Sequence, residues 1–305
     1  MGELVVVSLP EQENEYQLLQ TADAEATARR LGLDLELVYA DNNGVLQIQQ
    51  VFKFIHAQER PRAIVVEPIA FDGMERVAQK ATAAGIGWSV LNTTVAYVET
   101  LRRSFPALPV FSVASDQVEI GRIQGRQIRA LLPAGGVVLY IQGPRTATPA
   151  VERLRGLEEM LAGSAVATIV LDGQWTESSA EQAVRSWLRL KTAETTRVAL
   201  VAGQDDSMAR GARRAIETTP GAAARFGAIP YLGIDGVPEV GQRLVASGQL
   251  TATVVMPSNT GAALEAIARW LQASRLPPPV LRMPVHSYPD ETMLAQRAAE
   301  RSASR

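Results

Sequence analysis

From Leu4 to Val285 the chain alternates short, β-branched apolar runs with amphipathic helical patterns. The runs Leu4–Ser8, Leu35–Tyr39, Ala63–Glu67 and Trp88–Leu91 have the length and composition of buried parallel strands. A helical pattern follows the polar loop Pro10–Tyr16 and runs to Leu31, where Gly32 suits a stop. A second follows the turn Asp41–Gly44, with Leu46, Val51, Phe52 and Ile55 inward, and a third spans Phe71–Ala84. This alternation predicts a parallel sheet with helices on both faces, and right-handed crossovers put every strand's carboxyl end on one edge. Ligands of open α/β sheets bind outside that edge. Here it carries Ser8–Tyr16, Glu67-Pro68 and Asn92-Thr93.

The stretch Phe111–Arg126 (FSVASDQVEIGRIQGR) divides the pattern in two. An extended run passes through Ser115 into a helix for which Asp116 is the N-cap and Glu119 the capping-box partner. Gly121 and Gly125 share one face of that helix, where a backbone or a bound molecule can come close. Beyond it the alternation resumes. Strands are expected at Val137–Gln142, Val166–Leu171, Val198–Ala202, Pro230–Asp235 and Thr251–Val255. Helices are expected at Pro149–Leu161, Ser179–Leu190, Asp206–Thr218, Val237–Ser247 and Ser258–Ala273. A proline-rich link, Leu276–Pro279, leads to an extended piece at Val280–Val285, and Asp290–Arg305 reads as a weakly ordered helical tail. At 305 residues the chain exceeds one ordinary core, so two α/β lobes with a ligand between them are expected.

The stretches VVEPIAFDGMERVAQKATAAGIGWSVLN, VASDQVEIGRIQGRQI, YIQGPRTATPAVERLRGLEEML, VAGQDDSMARGARRAI, LGIDGVPEVGQRLVASGQLTATVV and PSNTGAALEAIARWL cover nearly the whole chain. In order and wording they resemble the type I periplasmic solute-binding proteins of the ribose/galactose type, whose fold is shared by the effector domains of LacI-type repressors. The resemblance implies an α/β fold of two doubly wound Rossmann-like lobes with parallel sheets, joined by a multi-strand hinge. Residues 1–114 and 257–282 would form the N-terminal lobe, 115–256 and 283–291 the C-terminal lobe, and 292–305 a tail.

The resemblance also carries a ligand set. Asn14 and Tyr16 match the first loop, Tyr16 as a stacking aromatic. Asp116 aligns with a ligand-contacting Ser-Asp pair, or is a helix cap alone. Arg153 matches the ligand arginine, its alternative being a surface helix charge like Arg155. Trp175 stands where the family stacks an aromatic, whereas Trp88, Trp187 and Trp270 fall on core-like positions. Asp235 matches the ligand aspartate of a GFDG-type motif; a carboxylate ending a buried strand needs a donor from protein or ligand. Asp205 takes a ligand-facing place usually held by asparagine, with Asp206 mostly a cap. In place of the usual Asp-Arg pair after the fourth strand the chain has Asn92-Thr93, Glu67 replaces an asparagine and Met256 a glutamine. With Glu13, Glu15, Glu67 and Asp205 near the site the pocket should be acidic, which makes ribose doubtful and leaves a polyol, cyclitol, amino sugar or cation open. The sugar-like set of Arg153, Trp175 and Tyr16 favours a neutral polyol.

Other classes find no support in the residues. The net charge is −2 with no basic block, which argues against nucleic acid, and no apolar run nears the ~20 residues of a membrane span. No cysteine occurs, and the two histidines, His56 and His286, lie on an amphipathic helix and a terminal strand, so no metal site or cofactor is expected. Dinucleotide, Walker and G-x-S-x-G patterns are absent. No helix-turn-helix precedes Leu4 in the sequence given, which points away from a repressor. The expectation is a non-catalytic, monomeric solute-binding protein that hands a sugar, polyol or cyclitol to an ABC transporter permease. A sensory domain signalling to a kinase or regulator is the alternative. A periplasmic location with the signal peptide removed is expected, and a cytoplasmic one stays open.

Overall fold

The computed structural model describes residues 2–70, 73–226 and 229–303. The first half runs β1 (Leu4–Leu9), α1 (Glu15–Leu31), β2 (Asp34–Tyr39), α2 (Gly44–Ile55), β3 (Ala63–Val66), α3 (Met74–Ala83), β4 (Gly87–Leu91), α4 (Tyr97–Ser104) and β5 (Val110–Ser115). Then come α5 (Gln117–Leu131), β6 (Gly136–Gln142), α6 (Thr148–Leu161), β7 (Val166–Asp172), α7 (Glu177–Leu188), α8 (Lys191–Thr195), β8 (Val198–Gly203), α9 (Asp206–Thr218) and α10 (Ala222–Phe226). After β9 (Tyr231–Asp235), a π-helical turn, Pro238–Gln242, runs into α11 (Arg243–Ala246). The chain ends with β10 (Ala252–Val255), α12 (Thr260–Ala273), β11 (Val280–Met283), β12 (His286–Tyr288) and α13 (Glu291–Ala303).

By its contacts the chain divides into unit 1, Met1–Ser115 with Ser258–Met283, and unit 2, Asp116–Pro257 with Pro284–Arg305. Each boundary falls one residue beyond the position expected from sequence. Unit 1 holds a six-stranded parallel sheet in the order β11-β5-β4-β3-β1-β2. Its inner strands β1, β3, β4 and β5 are buried on both faces because both are covered. Val6, Ile64, Val66 and Trp88 pack under α2, α3 and α4. Val5, Val7, Val65 and Phe111 pack under α1 and α12. Gly32 ends α1 in the left-handed conformation, φ 68°, its N–H donated back to the carbonyls of Ala28 and Arg29.

Unit 2 repeats the plan in the order β12-β10-β9-β8-β6-β7. Leu139, Ile141 and Val201 pack under α7 and α9, while Val138, Tyr140, Leu200 and Ala202 pack under α5, α6 and α13. The glycine face of α5 is taken by the backbone of α6. A Cβ on Gly121 would lie 2.0 Å from the carbonyl oxygen of Arg153, and one on Gly156 would lie 1.9 Å from that of Val118. That close approach fixes the part of α6 that bears Arg153.

Several expectations are corrected. The extended piece 280–285 divides at Pro284, which has no N–H to continue a ladder. β11 joins sheet 1 in parallel to β5, and β12 joins sheet 2 antiparallel to β10, so that sheet is not wholly parallel. Residues 291–303 are a helix docked on the unit 2 core through buried Leu294 and the Arg126–Glu291 pair at 3.0 Å, not a loose tail; the tail's end, 304–305, lies outside the described residues. Asp116 does cap α5, accepting from the Glu119 N–H at 3.0 Å, but the Glu119 carboxylate completes no capping box. It pairs with Arg126 and Arg122 instead. The expected start of the third helix at Phe71 also lies outside the described residues.

Candidate functional site

The candidate residues of unit 1 gather at the carboxyl edge of its sheet. Asn14 caps α1, its side-chain oxygen accepting the Tyr16 N–H at 2.8 Å. Tyr16 on α1 is buried; its hydroxyl donates to Asn92 Oδ1 at 3.4 Å and accepts from Asn259 Nδ2 at 3.3 Å. Asn92 follows β4 in a left-handed conformation, φ 63°. Its Nδ2 donates to Glu67 Oε1 at 2.9 Å, and its Oδ1 accepts from Asn259 Nδ2 at 2.9 Å. Glu67 follows β3 and is 9% exposed. It also accepts from Gln17 Nε2 at 3.1 Å and Gln20 Nε2 at 3.3 Å. Burial pushes its carboxyl up from the ordinary value, against the pull of these three donors.

In unit 2 the centre is Arg153, 5% exposed, which removes the reading as a surface charge. Its Nε donates to Gln117 Oε1 at 2.8 Å, its Nη1 to the Gln204 carbonyl and its Nη2 to Met256 Sδ at 3.2 Å. Three of its five N–H groups are thereby used, all on neutral acceptors and one on a weak thioether. The guanidinium lies 5.5 Å from the centre of the Trp175 ring. Trp175 has φ 59° and packs where Gly143 leaves room: a Cβ there would sit 2.3 Å from the indole. Gln204 ties the loops together. Its Oε1 accepts from Gly143 N at 2.9 Å, and its Nε2 donates to the Ala150 carbonyl at 2.9 Å and to the Tyr140 hydroxyl at 3.0 Å.

Asp235 ends β9 at φ 102°, beside Val255 in register, and its carbonyl accepts the Met256 N–H at 3.0 Å. Bulky or charged residues rarely take positive φ, and such strain persists where the surroundings impose it. Asn92, Trp175 and Asp235 share this feature, each just past a sheet strand or at its last residue.

The helix cap expected at Asp206 falls on Asp205 instead. Asp205 is the N-cap, its Oδ1 accepting the Met208 N–H, and Asp206 is the first helical residue. Asp206 points into the unit at 1% exposure, accepting from Gly236 N at 2.9 Å and from the Thr253 hydroxyl at 2.7 Å. Gly233 and Gly241 make its space, since a Cβ on either would stand 2.0 Å from its carboxylate oxygens. Asp116 stays on the surface as a cap, and its neighbour Gln117 is the one that touches Arg153. Glu13 is exposed as well, and Glu15 sits in the first turn of α1. The structure adds residues that no motif marked: Gln17, Gln20 and Asn259 in unit 1, Gln117 and Gln204 in unit 2. Gln17 and Gln20 carry one signal in the sequence, a glutamine recurring on one helix face, whereas Gln204 follows a strand and Asn259 precedes α12. Among the described residues no group of three His, Cys, Asp or Glu side chains could hold a metal ion, and no helix is long and apolar enough to cross a membrane.

A family model described as "Periplasmic binding protein domain" matches residues 5–273. The ribose import binding protein of Escherichia coli (strain K12) is 27% identical over 240 residues, 78% of this chain and 74% of that one. Among solved structures, the periplasmic component of the arabinose ABC transporter from Shewanella sp. ANA-3, bound to α- and β-L-arabinofuranose, superposes with a TM-score of 0.81. It is 24% identical and covers 99% of this chain and 97% of its own. The Caulobacter myo-inositol binding protein, bound to myo-inositol, has a TM-score of 0.78 at 20% identity, with 98% and 97% covered.

Proposed function

The chain belongs to the type I periplasmic binding proteins of the ribose/galactose type, and on that premise we propose that it captures a sugar or sugar-like polyol and delivers it to an ABC transporter permease. The family consists of binding proteins, and the relatives named above bind ribose, arabinofuranose and myo-inositol. The observation that carries the reading is the Arg153 fork. A buried guanidinium held by neutral groups keeps two N–H donors beyond those it uses within the unit, next to an indole face. That pairing suits a solute with ring hydroxyls and C–H faces. Gln117, Gln204 and Met256 position the fork; Asp205 and Asp235 supply carboxylate acceptors along the same sheet edge. In unit 1, Tyr16, Glu67 and Asn92 form a polar cluster of their own, with Asn14 fixing the helix that bears Tyr16. The protein acts as a periplasmic monomer, without turnover.

A thermal-shift screen across sugars, polyols and cyclitols tests this. A solute at 100 times its Kd adds ~2.7 kcal/mol to stability. A panel-wide absence of shift, or chemical conversion of a binding solute, overturns the reading.

A further inference from the structure

The unit 1 cluster is rich in acceptors and short of positive charge. The two oxygens of Glu67 receive N–H groups from three neutral amides, those of Gln17, Gln20 and Asn92. Three donors aimed at two oxygens fit the ionised carboxylate, which only accepts. Two of the amides cannot turn over. Gln20 Oε1 is taken by the Ser258 hydroxyl and the Asn259 N–H, both at 2.7 Å, and Asn92 Oδ1 is taken by Asn259 and Tyr16.

No lysine, arginine or histidine among the described residues pairs with Glu67. From α1 it meets Gln17 and Gln20, and from the end of β4 Asn92, behind which stand Asn259 and the titratable Tyr16. The charged group it feels is Glu11, of like sign, in the loop before α1. Two further acceptors in the cluster have no donor: Gln17 Oε1, on a side chain 7% exposed, and Asn259 Oδ1, on one fully buried. At 9% exposure Glu67 is not turned to solvent.

We propose that the solute carries an ammonium group, as an amino sugar or aminocyclitol does, and that this group is seated on Glu67 with Gln17 Oε1 as a further acceptor. The inference rests on the solute-binding reading above and names the class within it. An ammonium brings three donors, no lone pair and the missing positive charge. A hydroxyl brings one donor and adds lone pairs where acceptors already stand in excess. The bound cation holds Glu67 ionised, so affinity falls as pH drops through the free protein's Glu67 pKa, which lies above the ordinary 4.5. Binding on that acid side releases protons.

Isothermal titration of the full chain at pH 7 tests this with matched pairs: glucosamine and glucose, galactosamine and galactose, an aminodeoxyinositol and myo-inositol. The expected result is that at least one amine binds tenfold or more tighter than its hydroxyl counterpart. Glu67→Gln should then erase that preference, and wild-type affinity for the amine should drop from pH 7 to pH 4 with proton release. Equal or tighter binding of the neutral partner overturns the inference, as does a preference that survives in Glu67→Gln or a flat pH profile; each leaves the solute-binding reading standing. Failure of all three amines to bind overturns the inference, and the wider thermal-shift panel then decides the solute-binding reading.

Discussion

Gly121→Ala tests whether packing between α5 and α6 sets the arginine fork. The new Cβ would stand 2.0 Å from the Arg153 carbonyl oxygen, 2.8 Å from its carbonyl carbon and 2.9 Å from Leu157 N. Real Cβ atoms keep at least 3.0 Å from such atoms, so the helices must part by 3.0 − 2.0 = 1.0 Å or more at this point. Alanine favours a helix interior over glycine by about 0.8–1.0 kcal/mol. Overpacking costs about 1–3 kcal/mol, at the upper end here because the opposing atoms are backbone and have no rotamer to change. The net expectation is a loss of about 1–2 kcal/mol. The strain falls on Arg153 itself. Its 2.8 Å bond to Gln117, lengthened by 1.0 Å, would pass the limit of a hydrogen bond. Solute affinity should therefore drop at least tenfold, while urea unfolding shows a lower midpoint at unchanged slope. Gly163→Ala is the control: at φ 72° with nothing within 4 Å of its Cβ, it strains only its own backbone. That variant should lose about 1 kcal/mol and keep wild-type affinity. Wild-type affinity in Gly121→Ala, or an equal loss of affinity in both variants, would refute the coupling between helix packing and the site.

Two further outcomes follow from the same geometry. Arg153→Ala and Asp235→Asn should each weaken solute binding by more than about thirtyfold with the fold intact, since truncating one partner of a buried charged contact costs about 2 kcal/mol or more; calorimetry beside circular dichroism checks this, and wild-type affinity in both variants would refute the assigned site. Asp206→Ala should cost roughly 3–5 kcal/mol of stability by leaving the Gly236 N–H and the Thr253 hydroxyl without their buried acceptor. Denaturant titration reads that loss directly, and a change below about 1 kcal/mol would show that those two bonds do not hold α9 in place.

What the sequence made legible was local. β1 is a run buried on both faces, Gly32 is a left-handed stop, and Asp206–Thr218 is a helix with one apolar side; each is decided within a few residues. The resemblance brought Arg153, Trp175 and Asp235 to strand-end or helix positions at the sheet edge, because the alternation fixes which residues follow each strand. Partner choice was not legible. Both members of Asp205-Asp206 sit in a first turn, where the dipole favours either. Which one turns inward depends on Gly233 and Gly241, distant in sequence, whose missing side chains make the space. Residues 291–303 are Ala- and Arg-rich, a composition without a clear apolar stripe, and one leucine, Leu294, reaches the core.

The chain's departures from its relatives, read singly, pointed to an acidic pocket; their surroundings change what they mean. Met256 sets a thioether against Arg153, a weaker acceptor than the amide oxygen of a glutamine, so the fork is held in place while giving up little of its capacity to a third partner. Glu67 sets a carboxylate among amides that donate to it without neutralising it. Each substitution leaves a charged group oriented by neutral neighbours rather than paired with an opposite charge. Orientation without neutralisation is what a recognition site requires, because an internal ion pair would have to be broken before a solute could use either member. The two substitutions therefore act in the same direction. They hold the charges in fixed geometry, and on the proposed function their compensation falls to the solute.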